Sequence, residues 1–156
     1  MMDQRRRQAL KTGAGLGTLG ALVAVGLIGP GNAHAQDWKA AFETHSLQDT
    51  IKALGGTVAV ESKDITITAP DIAENGAVVP VAVASAIPKT ESIAILVEKN
   101  PNLLAASFTI PSGTDPSVGT RVKMGQTSNV FALVKADGKF FVTSKEIKVT
   151  LGGCGG

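Results

Sequence analysis

The chain has 156 residues and a formal net charge of +2, with two histidines and a single cysteine, Cys154. One cysteine cannot form an internal disulfide bond, and so few histidines and cysteines cannot supply the three or four ligands of a zinc site. A disulfide-linked scaffold and a His/Cys zinc centre are therefore both excluded.

Residues 1–35 have the features of an export signal. Arg5-Arg6-Arg7 precedes an apolar, glycine-rich run over residues 12–29, and Ala33-His34-Ala35 supplies the small-x-small pattern that signal peptidase cleaves. Arg6-Arg7 fits the twin-arginine pattern. We predict a cleaved twin-arginine signal peptide. The alternative, an uncleaved membrane anchor, is disfavoured because six of those eighteen residues are glycines.

Removal of the signal changes the charge of the protein. It takes away four basic residues and one acidic residue, so 11 basic and 12 acidic residues remain, a net charge of −1. We therefore expect a periplasmic protein with neither nucleic acid nor, after signal cleavage, a membrane as partner.

Residues 36–56 are predicted to form an N-terminal helical segment. Ser46 can cap its second helix with Asp49 in capping-box position, and Gly55-Gly56 can end it. The apolar positions at helical spacing are Trp38, Ala41, Phe42 and His45 in the first helix and Leu47, Ile51 and Leu54 in the second.

Residues 57–151 are predicted to form a β domain of short strands separated by turn clusters. Asp137-Gly138, between two apolar runs, is a strong hairpin signal. Pro80 inside a strand run predicts an edge strand or a bulge. The fold class is mostly β, an immunoglobulin-like antiparallel β-sandwich with a short N-terminal helical segment. The predicted strands are Thr57–Val60, Ile65–Ala69, Val78–Ala84, Ser92–Val97, Leu103–Ile110, Thr120–Met124, Val130–Ala136, Lys139–Thr143 and Glu146–Leu151.

Residues 152–156 are predicted to form a flexible C-terminal arm of sequence Gly-Gly-Cys-Gly-Gly. Gly152, Gly153, Gly155 and Gly156 have no Cβ, which makes the backbone thin and able to bend freely. From Gly152 to Cys154 the arm spans about 10 Å at ~3.3–3.6 Å per residue. We predict that Cys154 carries a covalent cargo into clefts of other proteins. The alternative is a frayed tail whose thiol is incidental.

Other catalytic chemistry has little support in the sequence. The mature chain keeps one histidine, His45, between the two predicted helices, where a capping or packing role is expected. No nucleophile-elbow, Walker or Rossmann glycine pattern is present. We predict no catalytic residue and no metal site, so the chain is expected to be non-enzymatic.

The tail and three internal stretches resemble a known family. The Gly-Gly-Cys-Gly-Gly terminus follows Lys145–Leu151, and together with the Arg121–Asn129 stretch, Lys63–Thr66 and the Glu98–Pro101 turn it strongly resembles SoxY. SoxY is the sulfur-carrier subunit of the periplasmic thiosulfate-oxidising (Sox) system. The resemblance gives Arg121–Asn129 no chemical role.

The resemblance implies a partner subunit and a reaction cycle. Members of the family have an immunoglobulin-like fold and form a heterodimer with SoxZ. Carried over to this sequence, Cys154 would hold thiosulfate as an S-thiosulfonate and then as a persulfide. SoxAX, SoxB and SoxCD-like enzymes would load, hydrolyse and oxidise the adduct. Haem, manganese and molybdenum would belong to those partners, so no tightly bound cofactor is expected on this chain.

Three alternatives remain from the sequence. A ubiquitin-like sulfur carrier would act through its C-terminal Gly-Gly carboxylate, which requires ATP and a central helix that is not predicted here. A structural periplasmic module would dimerise through a Cys154 disulfide. A thiol redox enzyme would need a second cysteine to resolve a mixed disulfide.

Overall fold

Two β-sheets and two short helices make up the part of the chain that the computed structural model describes, residues 38–150. The predicted mostly-β, immunoglobulin-like sandwich with a short N-terminal helical segment is confirmed. The elements are α1 (Trp38–Phe42), α2 (Leu47–Ala53), β1 (Ala59–Glu61), β2 (Ile65–Thr68), β3 (Ile72–Ala73), β4 (Val79–Ser85), β5 (Thr90–Val97), β6 (Leu104–Thr109), β7 (Ser117–Val122), β8 (Ser128–Ala136) and β9 (Lys139–Val149).

Helix α2 begins and ends at the predicted residues. Ser46 is its N-cap, and the Ser46 Oγ accepts a hydrogen bond from the Asp49 amide at 3.1 Å. At the other end Gly55 has a φ of +86°, and the Gly56 amide donates to the Ile51 carbonyl at 2.8 Å. This is the arrangement by which a glycine in the left-handed region ends a helix. Both predicted caps are therefore confirmed.

The larger sheet has the strand order β1-β9-β8-β5-β6, and β3 also pairs with β9. Strands β5, β6, β8 and β9 pair antiparallel, whereas the short strands β1 and β3 pair parallel to β9. The β8–β9 hairpin turns at Asp137 and Gly138, which have φ values of 48° and 73°. Positive φ at both central residues is the geometry that matches the twist of paired strands. The predicted hairpin is confirmed.

The smaller sheet has the order β2-β4-β7, with both pairs antiparallel. Pro80 lies in the central strand and in an unbroken register with β7, so the prediction of an edge strand or a bulge is wrong. Pairing with β2 reaches only Ala82, and Pro80 pairs with Arg121 of β7 alone. The Ser85 amide donates towards β7, to the Pro116 carbonyl. Since amides alternate along a strand, the nitrogen of Pro80 faces the side where β2 has already ended, and no ladder bond is lost.

The core covers both faces of the larger sheet, because alternate residues of a strand point to opposite faces. One cluster lies between the two sheets and the other between the larger sheet and the helices. Full burial of each large aliphatic side chain contributes about 1.5–3 kcal/mol. The first cluster includes Val81, Val83, Ile93, Ile95, Val130, Val134 and Ile147, and the second includes Ala41, Ile51, Leu54, Leu96, Leu133 and Phe140.

The larger sheet differs from the predicted strands in two places. The predicted strands Lys139–Thr143 and Glu146–Leu151 are one continuous strand, β9, because its pairing with β8 runs without a break through Lys145. Strand β3 was not predicted, since two residues in a turn-rich stretch carry no alternation. It exists through its pairing with β9.

Candidate functional site: the root of the cysteine tail

The predicted cargo site lies just beyond the described residues. Cys154 and the four glycines, Gly152, Gly153, Gly155 and Gly156, are outside residues 38–150, as are residues 1–35 of the predicted signal. The structure ends at Thr150, four residues before Cys154. What it does describe is the tail root, which we define as Lys148–Thr150, and the surfaces that hold it.

The tail root is hydrogen-bonded on one side to the segment around β3. The Lys148 amide donates to the Asp71 carbonyl at 2.9 Å, and the Thr150 amide donates to the Ala73 carbonyl at 3.1 Å. The Thr150 hydroxyl adds a third bond, to the Glu74 carbonyl at 3.2 Å. The last described residue of the chain is therefore fixed by its backbone and by its side chain.

The other side of the tail root faces the loop that connects β7 to β8. The last pair between β8 and β9 is Ser128 with Ile147, so strand β8 offers no further pairing at Val149. The Val149 amide instead donates to the Thr127 hydroxyl at 3.0 Å. A side chain of the loop thus replaces the acceptor that a longer strand would supply.

The β7–β8 loop is itself bonded to the turn between β5 and β6. The Asn100 side chain donates to the Lys123 carbonyl at 2.7 Å, and the Lys99 amide donates to the Ser128 hydroxyl at 3.0 Å. The Asn129 side-chain amide donates to Glu98 at 2.9 Å. These bonds join the Glu98–Pro101 turn to the Arg121–Asn129 stretch, to which sequence reasoning gave no role. The structure places both stretches at the end of the sandwich from which the tail leaves.

Lys145 is the charged side chain that holds the β3 segment beside β9. Its Nζ donates to the Ala69 carbonyl at 2.6 Å and lies 2.9 Å from the Asp71 carboxylate. The Asp71 side chain is 89% exposed, so the ion pair is screened by solvent and contributes little. The bond to the Ala69 carbonyl is the more important contact.

His45 lies at the same end of the sandwich and is bonded to the chain. Its Nδ1 donates to the Pro101 carbonyl at 2.6 Å, which links the junction of α1 and α2 to the β5–β6 turn. This contact is a loop-to-loop hydrogen bond from an exposed side chain, not the capping or packing role that was predicted. The helices themselves are held to the larger sheet by Ala41, Ile51 and Leu54, whereas Phe42 is 37% exposed.

Two depressions mark the described surface. One, of about 400 Å³, lies over the outer face of the smaller sheet and has Arg121 as its charged lining residue. The other, of about 380 Å³, lies between the β4–β5 and β6–β7 loops and has Lys89 as its charged lining residue. Neither lining contains a paired acid and base. Among residues 38–150, no three His, Cys, Asp or Glu side chains come together as a metal site requires.

Helices of membrane-spanning length and hydropathy are absent from the described residues.

Comparison with known proteins gives a family match and a similar structure. The family model for the sulfur oxidation protein SoxY matches residues 51–154, a stretch that extends to Cys154. A solved structure, that of the sulfur carrier protein SoxY from Chlorobium limicola f. thiosulfatophilum, is 42% identical with a TM-score of 0.62. The match covers 67% of this chain and 96% of that one.

Two further comparisons add nothing to this assignment. A chain from a solved structure that describes T cell activation by the bacterial superantigen toxic shock syndrome toxin-1 is 10% identical with a TM-score of 0.36, over 55% of this chain and 98% of that one. This likeness is too weak to bear on fold or function. Among curated protein sequences none matches.

Proposed function

The chain belongs to the SoxY family of sulfur oxidation proteins, and from that premise we propose that it holds thiosulfate-derived intermediates covalently on Cys154. One observation supports this most directly. The family match runs to the single cysteine of the chain, which stands between two glycine pairs. The similar Chlorobium protein is a sulfur carrier.

The proposed cycle begins and ends with a free Cys154 thiol. Joining thiosulfate to the Cys154 sulfur forms one S–S bond and releases two electrons to a haem-containing SoxAX-like partner. Hydrolysis by a SoxB-like enzyme removes the terminal sulfonate as sulfate and leaves a persulfide. A SoxCD-like dehydrogenase oxidises that outer sulfur to a sulfonate, which consumes three waters and releases six electrons. A second hydrolysis restores the thiol.

The described part of the chain supports a role in presentation of the cargo. The tail root is fixed on both sides, by Thr127 and by the segment around β3. A fixed root followed by glycines suits a thiol that enters clefts of several enzymes in turn, since glycine leaves the backbone thin. We further propose a SoxZ-like partner subunit, a periplasmic location, and no tightly bound cofactor on this chain.

The test is the mass of the protein from cells grown on thiosulfate. We expect heavier species confined to the peptide that contains Cys154, with masses of a thiosulfonate and a persulfide, and reductant should convert them to the free thiol. A ubiquitin-like carrier would instead carry sulfur at the Gly156 carboxylate, also in Cys154→Ser. A structural module would show only a disulfide dimer. Either of these results, or no adduct at all, would contradict the proposal.

A further inference from the structure

We propose that the side chains of Thr127 and Lys145 clamp the tail root from its two sides and thereby set how far Cys154 reaches. The inference rests on the proposed carrier function for its biological meaning. The proposal itself concerns which residue at the end of β9 is the last one that the fold holds in place. It also gives a role to the β7–β8 loop, which the sequence left without one.

The Thr127 hydroxyl acts at the last backbone amide that faces β8. On β9, the amides of Lys148 and Thr150 face β3, so the amide of Val149 between them faces the other way. Its acceptor is the Thr127 hydroxyl at 3.0 Å, and Val149 is half-buried. A half-buried amide that loses its acceptor is costly to keep in place, because it stays partly shielded from water without a partner. The amide would recover a partner by moving out to water.

The position of Thr127 does not depend on the tail. Its neighbour Ser128 is buried, and the Ser128 hydroxyl accepts a bond from the Lys99 amide. The Asn100 side chain holds the start of the same loop through the Lys123 carbonyl. The loop therefore presents a preformed acceptor to β9.

Lys145 acts on the opposite side through the β3 segment. Strand β3 is only two residues long, and a strand of that length has little stability of its own. Lys145 links the chain at Ala69 and Asp71 to β9 itself. This places the Asp71 and Ala73 carbonyls where Lys148 and Thr150 can donate to them.

The clamp determines the length of the tail. With Thr150 fixed, four residues lead to Cys154, a reach of about 13–14 Å at ~3.3–3.6 Å per residue. If the root were released back to Ile147, which is fully buried in the core, seven residues would lead to Cys154 and the reach would be about 23–25 Å. The effective concentration of a tethered group falls roughly as the −3/2 power of tether length, so release would lower it about twofold.

The primary experiment uses Thr127→Val in the full mature chain. We expect the Val149 amide to exchange hydrogen at least about tenfold faster, as loss of a hydrogen bond worth ~1.4 kcal/mol implies. A nitroxide attached to Cys154, the single cysteine, should become more mobile. Thr127→Ser, which keeps the hydroxyl, should restore native exchange and mobility. Thr66→Val is the matched control, because Thr66 is an exposed threonine in the smaller sheet, on strand β2.

A second pair of variants tests the other side of the clamp. Lys145→Met keeps the length of the side chain but loses both contacts, so exchange at Lys148 and Thr150 should accelerate. Asp71→Asn removes only the screened ion pair and should have a much smaller effect. The double variant Thr127→Val with Lys145→Met should give the greatest mobility of the label.

Turnover by the partner enzymes tests whether the clamp sets the reach of Cys154. We expect kcat/KM with these enzymes to fall about twofold in the double variant Thr127→Val with Lys145→Met, in which both sides of the root are weakened, while small thiol reagents label Cys154 at the native rate. Deletion of Gly152 in the same variant should recover part of the loss, because a shorter tail offsets a longer free segment.

Unchanged exchange and label mobility in both Thr127→Val and Lys145→Met would overturn the clamp. Increased mobility with native turnover would overturn its link to reach. Absence of sulfur on the native protein would contradict the carrier function and leave the exchange result intact.

Discussion

Gly56 is a residue whose missing side chain allows α2 to lie against the larger sheet. A Cβ at this position would lie 2.5 Å from Cδ2 of Phe140 and 2.9 Å from Cγ2 of Ile51. Both of these side chains are buried in the cluster under the helices. Such distances are far inside van der Waals contact, so Phe140 or the helix would have to move. Packing therefore requires glycine here, in addition to the role of Gly56 at the end of α2.

The first prediction is that Gly56→Ala destabilises the protein by about 1–3 kcal/mol, the usual cost of adding a methyl group to a packed core. Urea unfolding of the mature chain measures it. Gly119→Ala is the matched control, because a Cβ at Gly119 would lie 4.0 Å from the nearest heavy atom, in Ala82. That variant should stay within about 0.5 kcal/mol of the native protein. Equal effects of the two substitutions would show that the contact with Phe140 is unimportant.

The second prediction concerns Cys154. Cys154→Ser should abolish sulfur carriage and change the free energy of unfolding by no more than about 0.5 kcal/mol, as for surface substitutions. The reason is that Thr150 is bonded to the fold by its own backbone and hydroxyl, and that the predicted glycine arm is expected to add no packing. Thermal unfolding and intact mass measure the two effects. A clearly larger loss of stability would mean that the thiol is packed, and the arm hypothesis would be wrong.

At the scale of elements, the sequence predicted the helix caps and the turn that depend on residues close together in the chain. The N-cap at Ser46, the glycine end of α2 and the Asp137-Gly138 turn each depend on residues within a few positions, and each is confirmed. Strand β3 depends instead on its pairing with β9, between residues 76 positions apart in the chain, and the unbroken course of β9 depends on its pairing with β8. Such pairing is not encoded in the alternation of either segment.

The surroundings of the candidate site were predicted only in part. Cys154 stood out because it is the single cysteine and lies between glycines. The role of Thr127 could not be derived, since its partner is a backbone amide 22 residues later. Asn100 and Ser128 offered the one available signal. Short polar side chains in turns often bond to backbone groups, although the sequence does not say to which ones.

The third prediction concerns the glycines of the predicted arm. Replacement of Gly152-Gly153 by Val-Val should leave Cys154 accessible to small thiol reagents but sharply lower turnover by the partner enzymes. Valine is stiff at χ1 and favours extended strands, so it would both widen the arm and prolong β9 beyond the tail root. Thiol labelling and steady-state turnover measure the two effects. Native turnover in this variant would show that neither flexibility nor thinness of the arm matters.

At the scale of the whole molecule, one end of the sandwich carries the structures around the tail. The tail root, the β5–β6 turn and the β7–β8 loop are joined there by side-chain hydrogen bonds. In the proposed cycle, an enzyme that receives Cys154 approaches this end. A subunit that stays bound through the cycle must therefore contact the protein elsewhere, so that the tail remains free to pass from one enzyme to the next.

The last prediction concerns export and assembly. Arg6-Arg7 fits a twin-arginine signal, and this route moves folded proteins, so a partner subunit without its own signal could cross the membrane already bound to this chain. We predict a heterodimer formed in the cytoplasm, and Arg6-Arg7→Lys-Lys should retain both subunits there. Fractionation of cells that express both chains measures it. The matched control is Lys11→Arg, which keeps the arginine pair and the charge and should leave export unchanged. Partner subunit in the periplasm of the Lys-Lys variant would contradict joint export, whereas the carrier function rests on Cys154 and would stand.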